Sequence, residues 1–111
     1  MSNTPVEVLE YLTSDGKNPF RDWLDGLRDR QARAKIRVRL NRIRLGNFGD
    51  SKSVGHGVGE LRIDHGPGYR VYFGRQGDQI VILLVGGTKR QQNRDVKLAQ
   101  SYWDDFQRRS S

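Results

Sequence analysis

Glu60-Leu-Arg-Ile63, Gly66-Pro-Gly-Tyr-Arg-Val-Tyr-Phe73 and Gln79-Ile-Val-Ile-Leu-Leu-Val-Gly-Gly-Thr-Lys89 follow one another in this chain, and their reading decides the fold. Each is rich in β-branched, aromatic or aliphatic residues, and glycine, proline or polar turns separate them, which predicts three consecutive strands. Side chains alternate across a strand. Leu61, Ile63, Val71 and Phe73 are therefore expected to face a core, with Glu60, Arg62, Arg70 and Tyr72 sharing the opposite face. From Ile80 to Val85 every residue is apolar, the pattern of a strand covered on both faces near the centre of a sheet.

Upstream, Val6 to Leu12, with Glu7 and Glu10 between apolar neighbours, reads as a first strand closed by Ser14-Asp15-Gly16. Asn18 is a suitable N-cap with Pro19 at the first helical position, and Phe20, Trp23, Leu24 and Leu27 recur at helical spacing. A longer helix is predicted from about Asp29 to Leu45, with Ala32, Ile36, Leu40 and Ile43 as its buried stripe and Gly46-Asn47 as its stop. The two form an αα-hairpin. Gly46 to Gly59 is glycine-rich with little periodicity and reads as an irregular, mobile loop. Downstream, Thr88-Lys-Arg-Gln91 has the form of a capping box, and Val96, Ala99, Trp103 and Phe106 continue as one helical face. The expected domain is a single α+β unit over residues 1–111. Its order is β-α-α-β-β-β-α, with a mainly antiparallel four-stranded sheet and helices on one face.

The chain has 111 residues, 20 Lys plus Arg against 13 Asp plus Glu, a formal charge of +7 and no cysteine. That excess favours a polyanionic partner such as nucleic acid. Without cysteine there is neither a disulfide framework nor a thiolate metal site, and the composition suits a reducing cytoplasm. Met-Ser-Asn-Thr-Pro has no basic segment followed by an apolar one, and Ile80–Val85 is too short to span a bilayer, so no membrane association is expected.

Charge concentrates on the second predicted helix. Arg28, Arg30, Arg33, Lys35, Arg37, Arg39, Arg42 and Arg44 stand there against Asp29 alone. They form either a ridge that tracks a phosphate backbone or a solvated face whose long stems cover apolar surface. The strands carry a more specific pattern. Arg62 and Arg70 face the same way on adjacent strands, and Lys89 with Arg90 falls at the end of the next, where a helix start also favours an anion. Such groups clamp a phosphate and stabilise charge that develops on it, with Glu60 as a nearby carboxylate. The alternative is a set of cross-strand ion pairs on an exposed sheet. His56 and His65 are candidates for proton transfer, a task histidine suits as a residue type, with His56 on the longer loop, and Tyr72 on an open face is suited to stacking on a base. Tyr102, Trp103 and Phe106 continue a helix stripe and read as core. Gly-Gly-Thr-Lys lacks the spacing of a P-loop, and no acidic cluster offers ligands to Mg²⁺. No cofactor is expected, and any nuclease activity should be metal-independent.

Several motifs occur together and in order. They are Tyr11-x3-Asp15-Gly16-x2-Pro19-Phe20-x2-Trp23-Leu24, Leu45-Gly46-Asn47-x-Gly49-Asp50, Gly59-Glu60-Leu61-Arg62-Ile63, Gly66-Pro67-Gly68-Tyr69-Arg70-Val71-Tyr72 and Leu84-x-Gly86-Gly87-x-Lys89. In this combination the chain resembles the phage-related addiction-module killer proteins, on the RelE/HigB side of the RelE/ParE toxin superfamily. The resemblance implies a small α+β toxin that cleaves mRNA on the ribosome and is neutralised by an antitoxin, often a helix-turn-helix protein. It also implies attack of the 2′-hydroxyl on the adjacent phosphate, with basic strand residues carrying the reaction. Arg70 matches the arginine after the hairpin, and Arg62 falls at one of two strand positions that are lysine in RelE-type enzymes. Glu60 falls at the other, so a basic position has become acidic. Lys89 or Arg90 matches the basic residue after the last strand, while the tyrosine that follows in relatives is missing, with Gln92 and Asp95 nearby. Arg62, Arg70, Lys89 and Glu60 are thus the expected catalytic set, and Arg90, Tyr72, Arg37, Arg44 and His56 the expected RNA contacts. The ParE side of the superfamily offers a different activity, poisoning of gyrase without RNA cleavage. An inactive nucleic-acid-binding relative is a third reading.

Overall fold

The computed structural model describes residues 5–110. The reading of Met1 to Thr4 as free of an export signal lies outside them. The elements are β1 (Glu7–Glu10), α1 (Pro19–Gly26), α2 (Arg30–Arg44), β2 (Ser51–Ser53), β3 (Val58–Ile63), β4 (Tyr69–Gln76), β5 (Ile80–Thr88), a 3₁₀ turn (Lys89–Gln91) and α3 (Gln92–Ser110). They build one five-stranded sheet in the order β1-β5-β4-β3-β2. β1 runs parallel to β5, and the other neighbours are antiparallel. The α+β class is as expected, and β5 lies inside the sheet, between β1 and β4, as its apolar run requires.

Three details differ from expectation. The segment from Gly46 to Gly59 holds an additional edge strand, β2, paired with Gly59–Leu61. Ser51-Lys52-Ser53 has no apolar alternation, and its pairing rests on the backbone alone, so side-chain periodicity gives no sign of it. The helices also cover both sheet faces rather than one. Beneath α1 and α2, Leu61, Ile63, Val71, Phe73, Val81 and Leu83 pack with Phe20, Leu24, Ile36 and Ile43. Beneath α3, Val58, Tyr72, Ile82 and Leu84 pack with Ala99 and Trp103. The unbroken apolar run Ile80–Val85 of β5 demands such a second layer. Finally, Thr88 makes no side-chain cap. A 3₁₀ turn stands in place of the expected capping box, and the Lys89 backbone N–H donates to the Gly68 carbonyl at 3.0 Å.

Helix starts follow local chemistry. The Asn18 side chain accepts from the Arg21 N–H, and Asp29 accepts from Gln31 and Ala32, satisfying otherwise orphaned donors. Asp29 Oδ2 also lies 2.9 Å from His65 Nε2, tying the start of α2 to the β3–β4 turn. Its carboxyl is held below the usual range, first by that histidine and then by the Ala32 N–H. None of the helices described is long and apolar enough to cross a membrane.

A bulge shapes the end of β5. Tyr72 pairs with Val85 but Phe73 with Leu83, leaving Leu84 as the extra residue. Its insertion resets the alternation, so Gly86 meets Trp23 of α1 while Gly87 meets Asp95 of α3. A Cβ at Gly86 would lie 2.1 Å from the Trp23 ring. Gly86→Ala is therefore expected to destabilise the domain by about 1–3 kcal/mol through overpacking. This would be read as a lower urea midpoint at unchanged m-value.

Candidate active site

The antiparallel register places Arg62 directly opposite Arg70, and Arg70 opposite Gly87. Lys89 follows two residues later, drawn against the β3–β4 turn by its N–H bond to Gly68. A Cβ on Gly68 would stand 3.4 Å from Lys89 Cβ and 4.0 Å from Arg70 Nη1, so the three groups meet at one place. Gly68 has φ +83°, which an L side chain rarely adopts. Arg62, Arg70 and Lys89 line one open cleft of about 330 Å³ with Asp50, Asp64 and the Gly66–Gly68 turn.

Like charges directly across a strand pair are destabilising. Here each arginine has its own carboxylate. Arg62 Nη2 lies 3.0 Å from Asp50 Oδ1 at the exposed rim. Arg70, whose side chain is 11% exposed, has its Nε 3.7 Å from Oε1 of a fully buried Glu60. Glu60 Oε2 accepts a hydrogen bond of 2.8 Å from Gln92 Nε2. Around this pair, Glu60 Oε1, Arg70 Nε, the Tyr72 hydroxyl and Asp95 Oδ2 are buried without a hydrogen-bond partner among the described residues. Burial pushes the Tyr72 hydroxyl well above its ordinary pKa, and the Glu60 carboxylate adds to the effect. Burial also raises Asp95, opposed by Arg94. Tyr72 is thus protonated at neutral pH, a donor and not a base.

The structure brings Arg62, Arg70 and Lys89 together and separates several other candidates from them. Glu60 and Tyr72 are each 0% exposed. The face they share, expected to be open, is covered by α3. Tyr72 therefore offers no stacking surface to a base, and Glu60 has no access to a substrate hydroxyl. His56, at φ +55°, sits in the β2–β3 turn, at the opposite end of β3 from the cleft. Arg37 and Arg44 are exposed on α2 but do not line the cleft, and Arg44 bonds Asn41. The helical period instead turns Lys35, Arg39 and Arg42 towards Ile63 and Asp64 beside it. Arg39 is not part of a phosphate ridge, since its guanidinium donates to the carbonyls of Arg62, Phe48 and Asp50 and holds that loop. Arg90 is exposed next to Lys89. Asp50 and Asp64 were not anticipated as lining residues, nor Gln92 as the partner of Glu60. Asp50 was marked only by lying in a Gly-Asn-x-Gly-Asp turn ahead of Arg62.

A family model described as phage derived protein Gp49-like matches residues 22–102, a span that holds every residue of the cleft. The chain belongs to the Gp49-like family. This Gp49-like chain is also 52% identical to an uncharacterized protein of Haemophilus influenzae over 81 residues, 73% of this chain and 82% of that protein. The Gp49-like family is RelE/toxin-like. β1 lies outside the span matched to the Gp49-like model, which starts within α1.

Proposed function

We propose that this chain is the toxin of a type II toxin–antitoxin module, a cytoplasmic, metal-independent endoribonuclease that cuts mRNA on the ribosome. The observation that carries this reading is the convergence of Arg62, Arg70 and Lys89 on one open cleft. Membership of a RelE/toxin-like family supports it. In the reaction the 2′-oxygen bonds to phosphorus and the bond from phosphorus to the 5′-oxygen breaks. The 2′-hydroxyl loses its proton and the leaving oxygen gains one, leaving a cyclic phosphate. Negative charge builds on the non-bridging oxygens as the phosphorus becomes five-coordinate. Two guanidinium groups on opposed strands and an exposed ammonium are placed to bind that charge with no reorganisation during the step. Arg70 is the most buried of the three and works where the effective dielectric is lowest. Lys35 and Arg42, beside the cleft on α2, extend the positive surface for the flanking backbone. A cognate antitoxin, helix-turn-helix in kind, would neutralise the toxin.

The test is induced expression in bacteria followed by primer extension on an abundant mRNA, with and without translation. New 5′ ends that require translation are expected. Toxicity with intact mRNA would replace this reading with gyrase poisoning, and an absence of toxicity would leave an inactive nucleic-acid binder.

A further inference from the structure

We propose that Glu60 is a positioning residue, a sealed carboxylate that fixes the Arg70 guanidinium from behind while Gln92 of α3 fixes the carboxylate. The inference rests on the reading of the cleft as the phosphate site. Glu60 is paired across the strands with Tyr72, and Arg70 lies two residues before Tyr72 on the same face, the diagonal neighbour of Glu60. A carboxylate taken out of water costs several kcal/mol unless it is paired. The groups facing Glu60 are Arg70, Gln92 and Tyr72, with Asp95 bearing on Tyr72 from α3.

The geometry is that of a support and not of a closed bridge. Glu60 Oε1 and Arg70 Nε stand 3.7 Å apart, and neither has a hydrogen-bond partner among the described residues. A tight two-pronged bridge would occupy two of the five guanidinium donors. At this distance charge attraction orients the group; Nη1 also donates a long bond of 3.5 Å to the Tyr69 carbonyl, and the remaining terminal N–H groups are left for a ligand. Oε2 is held by Gln92 at 2.8 Å, so the carboxylate cannot swing towards Arg70 without breaking that bond. The orientation of Arg70 is thereby coupled to the first turn of α3.

The test uses the full chain with Glu60→Gln, Glu60→Asp and Gln92→Ala. Two readouts are followed, the single-turnover cut rate on ribosome-bound mRNA and the Arg70 Nε–H cross-peak by NMR. Glu60→Gln keeps the shape and removes the charge. It should fold, bind ribosomes within about 3-fold of wild type, and cut about 10- to 100-fold more slowly, the scale expected when a reacting group is misplaced. Its Nε–H should lose protection from solvent exchange. Glu60→Asp should recover part of the rate. Gln92→Ala leaves both charges in place and should slow cutting about 3- to 10-fold by loosening the support, which keeps the idea testable if Glu60→Gln fails to fold. A folded Glu60→Gln or Gln92→Ala with wild-type rate and unchanged Nε–H protection would overturn the proposal. If the wild-type chain cuts no RNA, the ribonuclease reading falls, and the Nε–H protection alone decides the positioning role.

Discussion

Arg70→Lys is expected to slow mRNA cleavage by about 10²–10³-fold, the loss typical when one preorganised donor to a developing oxyanion is removed, while leaving the fold intact. Lysine keeps the positive charge that Glu60 needs but not the planar fork that binds two phosphate oxygens at once. Arg70→Ala should lose at least as much activity and stability as well. It would leave Glu60 buried without its cation, and breaking a buried pair typically costs about 3–5 kcal/mol. Comparing the two separates chemistry from folding. Cleavage is followed by primer extension and stability by urea unfolding. A lysine variant that is folded and fully active would show that Arg70 does not contact the reacting phosphate. Full toxicity of that variant with intact mRNA would point to gyrase.

Trp103→Ala is expected to cost about 3–5 kcal/mol, the range for removing a large buried aromatic. Trp103 is 3% exposed and is the centre of the α3 layer. Its ring lies over two glycines, where an added Cβ would approach to 2.2 Å at Gly74 and 2.7 Å at Gly57. It also stacks on Phe106 with centroids 5.4 Å apart and planes at 8°. Part of its seat is the backbone of these glycines, which carries no side chain to swing into the space. A domain of this size has about 5–15 kcal/mol to lose, so the variant should sit near the threshold of folding. A urea-derived loss below about 1 kcal/mol would show that α3 is not docked through this ring.

These residues show where the sequence was readable. Asn18 before Pro19, and Asp29 before a 3.6-residue apolar stripe, mark their helices because capping and amphipathicity are local physics. Arg62, Arg70 and Lys89 could be placed together from sequence because short turns fix which strands are neighbours and alternation fixes which way side chains point. The burial of Glu60 and Tyr72 was not readable in the same way. Alternation puts them on a face, but only the docking of Ala99 and Trp103 decides whether that face meets water. The apolar run Ile80–Val85 implied a second layer, yet nothing local says which helix provides it. Gln92 and Asp50 reach the site through tertiary placement alone. Ser51-Lys52-Ser53 pairs through its backbone and leaves no trace in side-chain pattern.

The parallel pairing of β1 with β5 sets an order of assembly. Glu7 meets Ile80 and Glu10 meets Leu83, so β1 leaves the ribosome well before the strand it pairs with. α1, α2 and the arginine-bearing hairpin are synthesised before that register can close. The entropy of closing so long a loop must be met before the pairing returns any stabilisation, and non-local strand pairing of this kind slows folding. Until β5 emerges, the stripe of Ala32, Ile36, Leu40 and Ile43 lacks an interior strand of the sheet it covers, and Arg70 lacks the strand that carries Gly87 opposite it. The nascent chain is therefore a stage at which a chaperone, a protease or an early-binding partner meets exposed apolar surface, before any cleft exists.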